Sequence, residues 1–267
     1  MARSALLNVM TQAALKAGRR LARDFGELEN LQVSRKGPGD FVSNADMQAE
    51  KTIRMELQKA RPNFGFLMEE GGTIEGVDKS HRWIIDPLDG TTNFLHSIPF
   101  FAISIALEHE GRIVAAVIYN PATDDLFTAE RGRGAFYNDR RMRVAARDDI
   151  HDCVIGTGIP HLGRGKHRAY LGKMETVMGE VSGVRSMGSA ALQLAYVAAG
   201  RLDGHFEEYL NAWDIAAGIL LIREAGGFVT DIHGGDAMLE NGSVVAGNEL
   251  IRQRLKKLLD KPRQDQA

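Results

Sequence analysis

The sequence has very little cysteine, almost no net charge and no long hydrophobic run. Cys153 is the single cysteine among 267 residues, so the chain cannot form an internal disulfide. No cysteine–histidine cluster has the spacing of a zinc site, because the eight histidines are scattered. We expect Cys153 to be a small buried residue and the protein to be cytoplasmic, where thiols stay reduced.

The formal net charge of −2 gives the chain no general attraction to nucleic acid or to an anionic membrane. No apolar run approaches the ~18 residues that a membrane-spanning helix needs. The first residues lack the apolar core of a signal peptide. We therefore expect no membrane association, and nucleic acid is not expected as the main partner.

Common nucleophile and phosphate-loop motifs are also missing. The chain has no Gly-x-Ser-x-Gly elbow, which excludes the usual serine hydrolase arrangement. It has no Walker loop, since the Gly-Lys pairs lack the required glycine spacing. These absences leave the acidic residues as the candidates for chemistry.

The most informative feature that is present is an apolar run that ends in two aspartates. Residues 83–85 are Trp-Ile-Ile, and Asp86-Pro87-Leu88-Asp89-Gly90-Thr91-Thr92 follows directly. Proline cannot donate to a sheet, so we expect the strand to stop at Pro87. Gly90 favours a tight turn into a helix whose first N–H groups an Asp or Thr side chain would cap.

This arrangement predicts a metal and a phosphate side by side. Two carboxylates this close are costly to bury unless a cation neutralises them, and oxygen ligands suit Mg²⁺, Mn²⁺ or Ca²⁺. The unpaired N–H groups of a helix start suit an anion such as phosphate.

Other acids stand at the ends of predicted elements. Glu69 follows an apolar strand pattern at 64–68, and Glu207 ends another at 204–207. Asp214 stands where an N-cap acid is expected, and Ser43 with Asp46 has the spacing of a capping box. Each of these acids alone is most simply explained as a cap or a loop residue, so the functional argument depends on residues 86–92.

The remaining patterns predict the framework. Hydrophobic periodicity indicates helices at 4–25, 44–61, 166–178, 189–199, 213–224 and 250–259, and a hairpin that turns at residues 110–111. Hairpins in the first half and strand–helix alternation in the second indicate layered α/β or α+β sheets packed against helices. A composition shift near residue 145 predicts subdomains 1–145 and 146–267 that form one catalytic unit.

Taken together, residues 83–94, Glu69-Glu70 and the segment 213–218 resemble the inositol monophosphatase family of lithium-sensitive, Mg²⁺-dependent phosphatases. The resemblance covers nearly the whole chain, and segments 188–192 and 195–201 are similar to the bacterial branch. It implies an α+β fold of stacked α-β-α-β-α layers, a homodimer, and a small-molecule phosphate monoester, myo-inositol 1-phosphate first, as substrate.

The resemblance also implies a metal site. Glu69, Asp86 and the Leu88 carbonyl would hold a first metal, and Asp86, Asp89 and Asp214 would hold a second. A third, weaker metal would share Glu69. The cofactor would be two to three Mg²⁺ ions, with Mn²⁺ as an alternative.

Further roles follow from the same resemblance. Glu69, Thr91 and Asp46 would be catalytic, with Asp46 behind Thr91 and Thr91 orienting the attacking water. The Gly-Pro-Gly loop after Lys36 would be a mobile flap, although the residues alone fit a plain connection equally well. The substrate would be bound by the Gly90 and Thr91 N–H groups and by Asp89, Gly188, Ser189, Ala190, Glu207 and Asp214.

Substrate identity stays open at this stage. The stretch 156–161 and the residues between Glu208 and Trp213 could serve inositol phosphate, histidinol phosphate, a sugar bisphosphate such as fructose bisphosphate, a nucleotide, or several of these. A nucleotide is disfavoured because Thr92-Asn93 stands where nucleotide-directed relatives usually carry Lys-Glu. A different class of function is a dimeric scaffold for RNA or transcription machinery, which would use the arginines of 131–147 or the basic helix at 252–257.

Overall fold

A computed structural model of the chain describes residues 3–25, 33–37, 40–161 and 165–260. Its first half contains α1 (Ala5–Phe25), β1 (Val33–Gly37), β2 (Asp40–Ser43), α2 (Asn44–Ala60), β3 (Phe64–Met68), β4 (Gly72–Ile74), β5 (Asp78–Asp89), α3 (Thr91–Leu95), β6 (Ala102–His109), β7 (Arg112–Asn120), β8 (Asp125–Glu130), β9 (Gly134–Tyr137) and β10 (Arg140–Arg141). The second half contains β11 (Val154–Thr157), α4 (His167–Met178), β12 (Gly183–Arg185), α5 (Ala190–Ala198), β13 (Gly204–Glu208), α6 (Ala212–Glu224), β14 (Phe228–Thr230), α7 (Met238–Asn241), β15 (Ser243–Gly247) and α8 (Glu249–Asp260). The six helices predicted from periodicity are all present.

The larger sheet has eight strands in the order β10-β9-β8-β7-β6-β5-β3-β4. All neighbours are antiparallel except β3 and β5, which run parallel. The predicted hairpin joins β6 to β7 through Glu110 and Gly111, both at positive φ, as a tight turn between twisted strands requires. Strands β1 and β2 form a separate antiparallel pair.

The smaller sheet has five strands in the order β12-β11-β13-β15-β14. Strand β11 is parallel to both β12 and β13, whereas β15 is antiparallel to β13 and β14. The strand–helix alternation of the second half therefore includes parallel strand pairs.

Successive side chains along a strand point to opposite faces of its sheet, so each sheet packs against helices on both faces. Trp83 and Ile85 of β5 pack in the cluster with α1 and α2, whereas Ile84 between them packs with α5 and α6. In the small sheet, Val244 packs against the same central helices, and Val245 packs in the cluster with α4 and α8. Each fully buried side chain of this kind contributes about 1.5–3 kcal/mol to folding.

The order of layers is thus helices α1 and α2, the large sheet, helices α5 and α6, the small sheet, and helices α4 and α8. This confirms the expected α+β sandwich. In the part of the chain that the structure describes, no helix combines the length and the apolar character that crossing a membrane requires.

Candidate functional site

The acidic ends of β3 and β5 lie next to each other because the two strands are parallel. Met68 is paired with Ile85, so Glu69 and Asp86 both follow the paired residues at the same edge. The backbone N–H of Glu69 donates to the Ile85 carbonyl at 3.2 Å and fixes this approach. The sequence-predicted acids Glu69 and Asp86 are therefore brought to one place.

Strand β5 does not stop at Pro87, and that prediction is wrong. The strand runs on to Asp89, but its pairing with β6 shifts between Asp86 and Asp89. Pro87 and Leu88 occupy this irregularity, where a missing N–H costs no ladder hydrogen bond. The shift places both aspartates in the same cleft, and the Leu88 N–H donates to Asp86 Oδ1 at 2.9 Å.

The third acid comes from the other half of the chain. Helix α6 begins at Ala212 and its N-cap is Asn211, so the prediction that Asp214 is the N-cap is wrong by one turn. Asp214 instead accepts the Asn211 backbone N–H through Oδ2 at 2.7 Å, as the third residue of a capping box does. This bond orients a carboxylate that is 8% exposed.

Asp86, Asp89 and Asp214 each offer one oxygen, and these atoms lie within 4.8 Å of one another. Burial, followed by the charges of Glu69, Asp89 and Asp214, holds the pKa of Asp86 well above its usual range. Burial raises the pKa of Asp89 to about 6, against the opposing hydrogen bond from Ser189. Buried carboxylates that repel each other in this way fit a hard divalent cation, whose charge and preference for oxygen match the donor set.

Thr91 is connected to two acceptors beside this cluster. Its Oγ1 lies 3.2 Å from Asp46 Oδ1 and 3.1 Å from the Leu88 carbonyl oxygen. Asp46 is fully buried on α2, behind Thr91. Because a carboxylate and a carbonyl only accept, the single proton of the hydroxyl is donated to one of them or shared between them, and the oxygen keeps its lone pairs for another donor.

Gly90 is the residue that turns β5 into α3. It is the N-cap of α3 at φ 93°, and no side chain caps the helix, so the expected Asp or Thr cap is absent. A Cβ at Gly90 would lie 3.1 Å from the carbonyl oxygens of Phe100 and Gly188. Both the left-handed backbone and the close approach of other chain segments therefore require glycine.

Two side chains connect this turn to the second half of the chain. The Asn93 amide donates to the carbonyls of Phe100 and Met187, both at 2.7 Å. Ser189, the N-cap of α5, donates from Oγ to Asp89 Oδ2 at 2.5 Å, and the Ala191 N–H donates to the same oxygen at 2.7 Å. These bonds fix Asp89 relative to α5.

One cleft of about 410 Å³ collects most of the predicted site. Its lining includes the predicted residues Glu69, Asp86, Leu88, Asp89, Gly90, Thr91, Gly188, Ser189, Ala190, Glu207 and Asp214. Lys36 belongs to β1, and two residues of its predicted flap, Pro38 and Gly39, lie outside the described residues.

A model of the inositol monophosphatase family matches residues 2–266. The chain belongs to the inositol monophosphatase family. It is therefore a phosphatase of a metal-dependent family, and its acidic cleft is consistent with that dependence.

Three relatives illustrate the family membership. An inositol-1-monophosphatase of Mesorhizobium japonicum is 69% identical over 262 residues, which are 98% of each chain. A protein of Escherichia coli K12 named Nus factor SuhB is 44% identical over 92% of each chain. The crystal structure of the extragenic suppressor protein suhB from Bartonella henselae superimposes with a TM-score of 0.94 at 64% identity, covering 97% of this chain and 99% of that one.

Several residues in or beside this cleft were not predicted from the sequence. Glu50 is buried on α2 and accepts the backbone N–H of Glu70 at 2.8 Å, which fixes the turn that carries Glu69. His205 is fully buried and contacts Glu207. Gln193 lines the cleft, as does His161 of the stretch 156–161 that the sequence analysis had indicated. The i,i+4 spacing of Asp46 and Glu50 on one helix face was the available signal for Glu50.

Proposed function

We propose that this family member hydrolyses myo-inositol 1-phosphate and related polyol monophosphates to the free alcohol and phosphate with Mg²⁺ as cofactor. The observation that carries the proposal is the proximity of Asp86, Asp89 and Asp214 to the Thr91 hydroxyl within one cleft. The name of the relative from Mesorhizobium japonicum supports the substrate.

We assign the metal ligands as the sequence predicted. Glu69, Asp86 and the Leu88 carbonyl would hold a first Mg²⁺, and Asp86, Asp89 and Asp214 a second. A third, weaker ion would share Glu69, and Mn²⁺ would substitute. The 4.8 Å limit between the three aspartate oxygens supports the second set. When bound, the metal neutralises the carboxylates and the phosphate and activates a water for in-line attack.

Thr91, with Asp46 and Glu69, is assigned to the water. Since the proton of the Thr91 hydroxyl is directed towards Asp46 and the Leu88 carbonyl, its oxygen accepts a hydrogen bond from the attacking water and aims a water lone pair at phosphorus. Asp46 keeps the hydroxyl in this orientation. No covalent phosphoenzyme is needed, which agrees with the missing serine and cysteine motifs.

The substrate is assigned to two parts of the cleft. The Gly90 and Thr91 N–H groups would bind the phosphate, with Asp89 and Asp214 beside it. Glu207 and the segment of Gly188, Ser189 and Ala190 would contact the alcohol. Lys36 and its loop would act as the flap.

At the level of the whole chain, subdomains 1–145 and 146–267 would work as one catalytic unit. The hydrogen bonds of Asn93 and Ser189, which cross between these halves, support a single unit. We also propose a homodimer in the cytoplasm. Sedimentation of the purified protein would test the dimer, with a monomer mass contradicting it.

The test is phosphate release from inositol 1-phosphate in the presence of Mg²⁺, of EDTA, and of Mg²⁺ with Li⁺. Histidinol phosphate, fructose bisphosphate and phosphoadenosine phosphate form the comparison panel. We expect the fastest Mg²⁺-dependent release from inositol 1-phosphate, with inhibition by Li⁺. Equal release from several substrates would convert the proposal to a broad-specificity phosphatase, and no metal-dependent release would overturn it.

A scaffold role is the second candidate, because the Escherichia coli relative is named a Nus factor. The net charge of −2 gives it no general electrostatic support. Salt-sensitive RNA binding that is retained by an Asp89→Asn variant would support this role. RNA binding that is absent at low salt would exclude direct contact with RNA.

A further inference from the structure

Glu207, the side chain assigned to the alcohol, contacts both a buried histidine and a glycine. His205 Nε2 lies 3.1 Å from Glu207 Oε2. The His205 side chain is fully buried, whereas the Glu207 side chain is 16% exposed at the cleft. A Cβ on Gly158 would lie only 1.7 Å from Glu207 Oε1. The carboxylate therefore occupies the space that any larger residue at 158 would fill.

The register of the small sheet produces this arrangement. Strands β11 and β13 are parallel, and Gly156 is paired with His205. Residues two apart on a strand share a face, so His205 and Glu207 lie on one face of β13. A Cβ on Gly156 would lie 2.8 Å from His205 Nδ1. The two glycines at the end of β11 thus leave room for the histidine and for the glutamate, respectively.

The hydrogen-bonding capacity of the ring gives the direction of the contact. A carboxylate oxygen only accepts, so His205 Nε2 donates to Glu207. His205 Nδ1 is buried and has no hydrogen-bond partner among the described residues. A ring with its single proton on Nε2 satisfies the donor and leaves only a lone pair unpartnered. Among the described residues, the ring therefore makes its hydrogen bond to Glu207 Oε2.

We propose that His205 is a positioning residue that fixes the Glu207 carboxylate for a hydroxyl of the substrate alcohol, and that Gly156 and Gly158 make room for this pair. The inference rests on the proposed function, because Glu207 must face the alcohol. With Oε2 bound to the ring, Oε1 is left to accept a substrate hydroxyl. A carboxylate held in place before binding loses less freedom when the substrate binds, so the pair favours polyol phosphates over phosphates without hydroxyls.

The experiment measures kcat and KM for inositol 1-phosphate and for p-nitrophenyl phosphate, which has no alcohol hydroxyl. We compare the wild type with His205→Phe, which keeps a ring but removes the donor, and with His205→Gln, whose amide can still donate. His205→Phe should raise the KM for inositol 1-phosphate and lower its kcat/KM, relative to p-nitrophenyl phosphate, by about 10-fold, as for the loss of a hydrogen bond to a charged group. His205→Gln should restore most of this ratio.

Two further variants separate positioning from folding. Gly158→Ala should lower the ratio of the two kcat/KM values, because its added Cβ would displace Glu207. If His205→Phe does not fold, Gly158→Ala and His205→Gln together carry the test. His109→Phe is the matched control, because it makes the same substitution on strand β6, where His109 stacks on His81 outside the cleft lining. It should leave the ratio within about 2-fold of the wild-type value.

The outcomes distinguish this inference from the proposed function. No Mg²⁺-dependent release by the wild type would overturn both. A wild type active on both substrates, with an unchanged ratio in His205→Phe, would overturn the positioning role alone. An equal loss on both substrates in His205→Phe would mean a purely structural histidine and would also overturn it. In a Glu207→Gln background, His205→Phe should cause no further change in the ratio.

Discussion

At the scale of single residues, burying the acids of the cleft close together costs free energy. Asp86 is 1% exposed, and its ionised form is disfavoured first by burial and then by the charges around it. Asp89 accepts two short hydrogen bonds, from Ser189 and from the Ala191 backbone, that favour its ionised form. A protein retains such a cluster when a cation offsets the repulsion, which agrees with membership of a metal-dependent family.

The first residue-scale prediction concerns Asp89. Asp89→Asn keeps the size of the side chain and removes one negative ligand, so turnover of inositol 1-phosphate should fall at least ~100-fold at saturating Mg²⁺. Asp260→Asn is the control, since Asp260 is exposed on α8 and pairs with Lys256. Steady-state kinetics of both variants is the measurement. Turnover near the wild-type value in Asp89→Asn would remove Asp89 from the metal site.

The second residue-scale prediction concerns Cys153, the only thiol. It is fully buried, and burial raises the pKa of its thiol to about 12. Since the thiolate is the reactive form, dithiobis-nitrobenzoate at pH 8 should not react with the folded protein within minutes. One thiol should react at once in guanidinium chloride. Rapid reaction in the native state would show that the thiol is accessible.

Residue identity and spacing indicated Asp86 and Asp89, and the family resemblance added Glu69 and Asp214, but neither indicated the residues that hold these acids in place. The residues from Asp86 to Thr91 are adjacent in sequence, whereas only the family resemblance connects Glu69 and Asp214 with them. Glu50 and His205 were not predicted because their roles depend on contacts between separate elements, which no local sequence pattern records. A lone buried histidine looks the same in sequence as a surface one.

At the scale of elements, the predictions were accurate for the longer helices, which hydrophobic periodicity indicates, and wrong for the end of β5, which depends on strand pairing. The six longer helices begin and end close to the predicted residues, because amphipathic spacing is a local property. The end of β5 was wrong, since an irregular pairing with β6 tolerates Pro87 inside a strand. The strands β1, β2, β4, β9 and β10 and the helix α7 were not predicted, because they are short and their conformation depends on neighbouring segments.

The element-scale prediction concerns the contact between α5 and α6. A Cβ on Gly218 of α6 would lie 2.6 Å from Leu194 Cβ, which is attached to the α5 backbone and cannot move aside. Gly218→Ala gains about 1 kcal/mol of helix propensity. Overpacking costs about 1–3 kcal/mol, and the rigid neighbour favours the upper end, so the variant should lose stability by roughly 1–2 kcal/mol.

Thermal unfolding checks this prediction, because each kcal/mol shifts Tm by about 2–4 °C in a domain of this size class. Gly179→Ala is the matched control. Gly179 follows α4 at φ −71°, and its added Cβ would have nearest neighbours at 3.7 Å, an ordinary contact. It should keep or slightly raise Tm. A Gly218→Ala protein as stable as the wild type would mean that the two helices separate easily.

At the scale of the whole molecule, the site lies where the two halves of the chain meet. Asp86 and Asp89 end a strand of the large sheet, whereas Asp214 is carried by a helix packed between the sheets. The core cluster between the two sheets also takes residues from both halves, Ile84 and Ile215 among them. A cation shared by these acids would connect elements that are more than a hundred residues apart in sequence.

The whole-molecule prediction follows from this connection. An ion that binds the folded chain and not the unfolded one stabilises folding by about 2.7 kcal/mol at 100 times its Kd. Mg²⁺ at that excess should therefore raise Tm by roughly 5–10 °C over the EDTA-treated protein at equal ionic strength. Asp89→Asn removes one metal ligand and also part of the repulsion between the buried carboxylates. Its Tm in EDTA should therefore be at least that of the wild type. Mg²⁺ should raise its Tm by less than it raises the Tm of the wild type. An equal gain in both proteins would mean that Mg²⁺ stabilises the fold from another place, and the acids would then have to be explained without a metal.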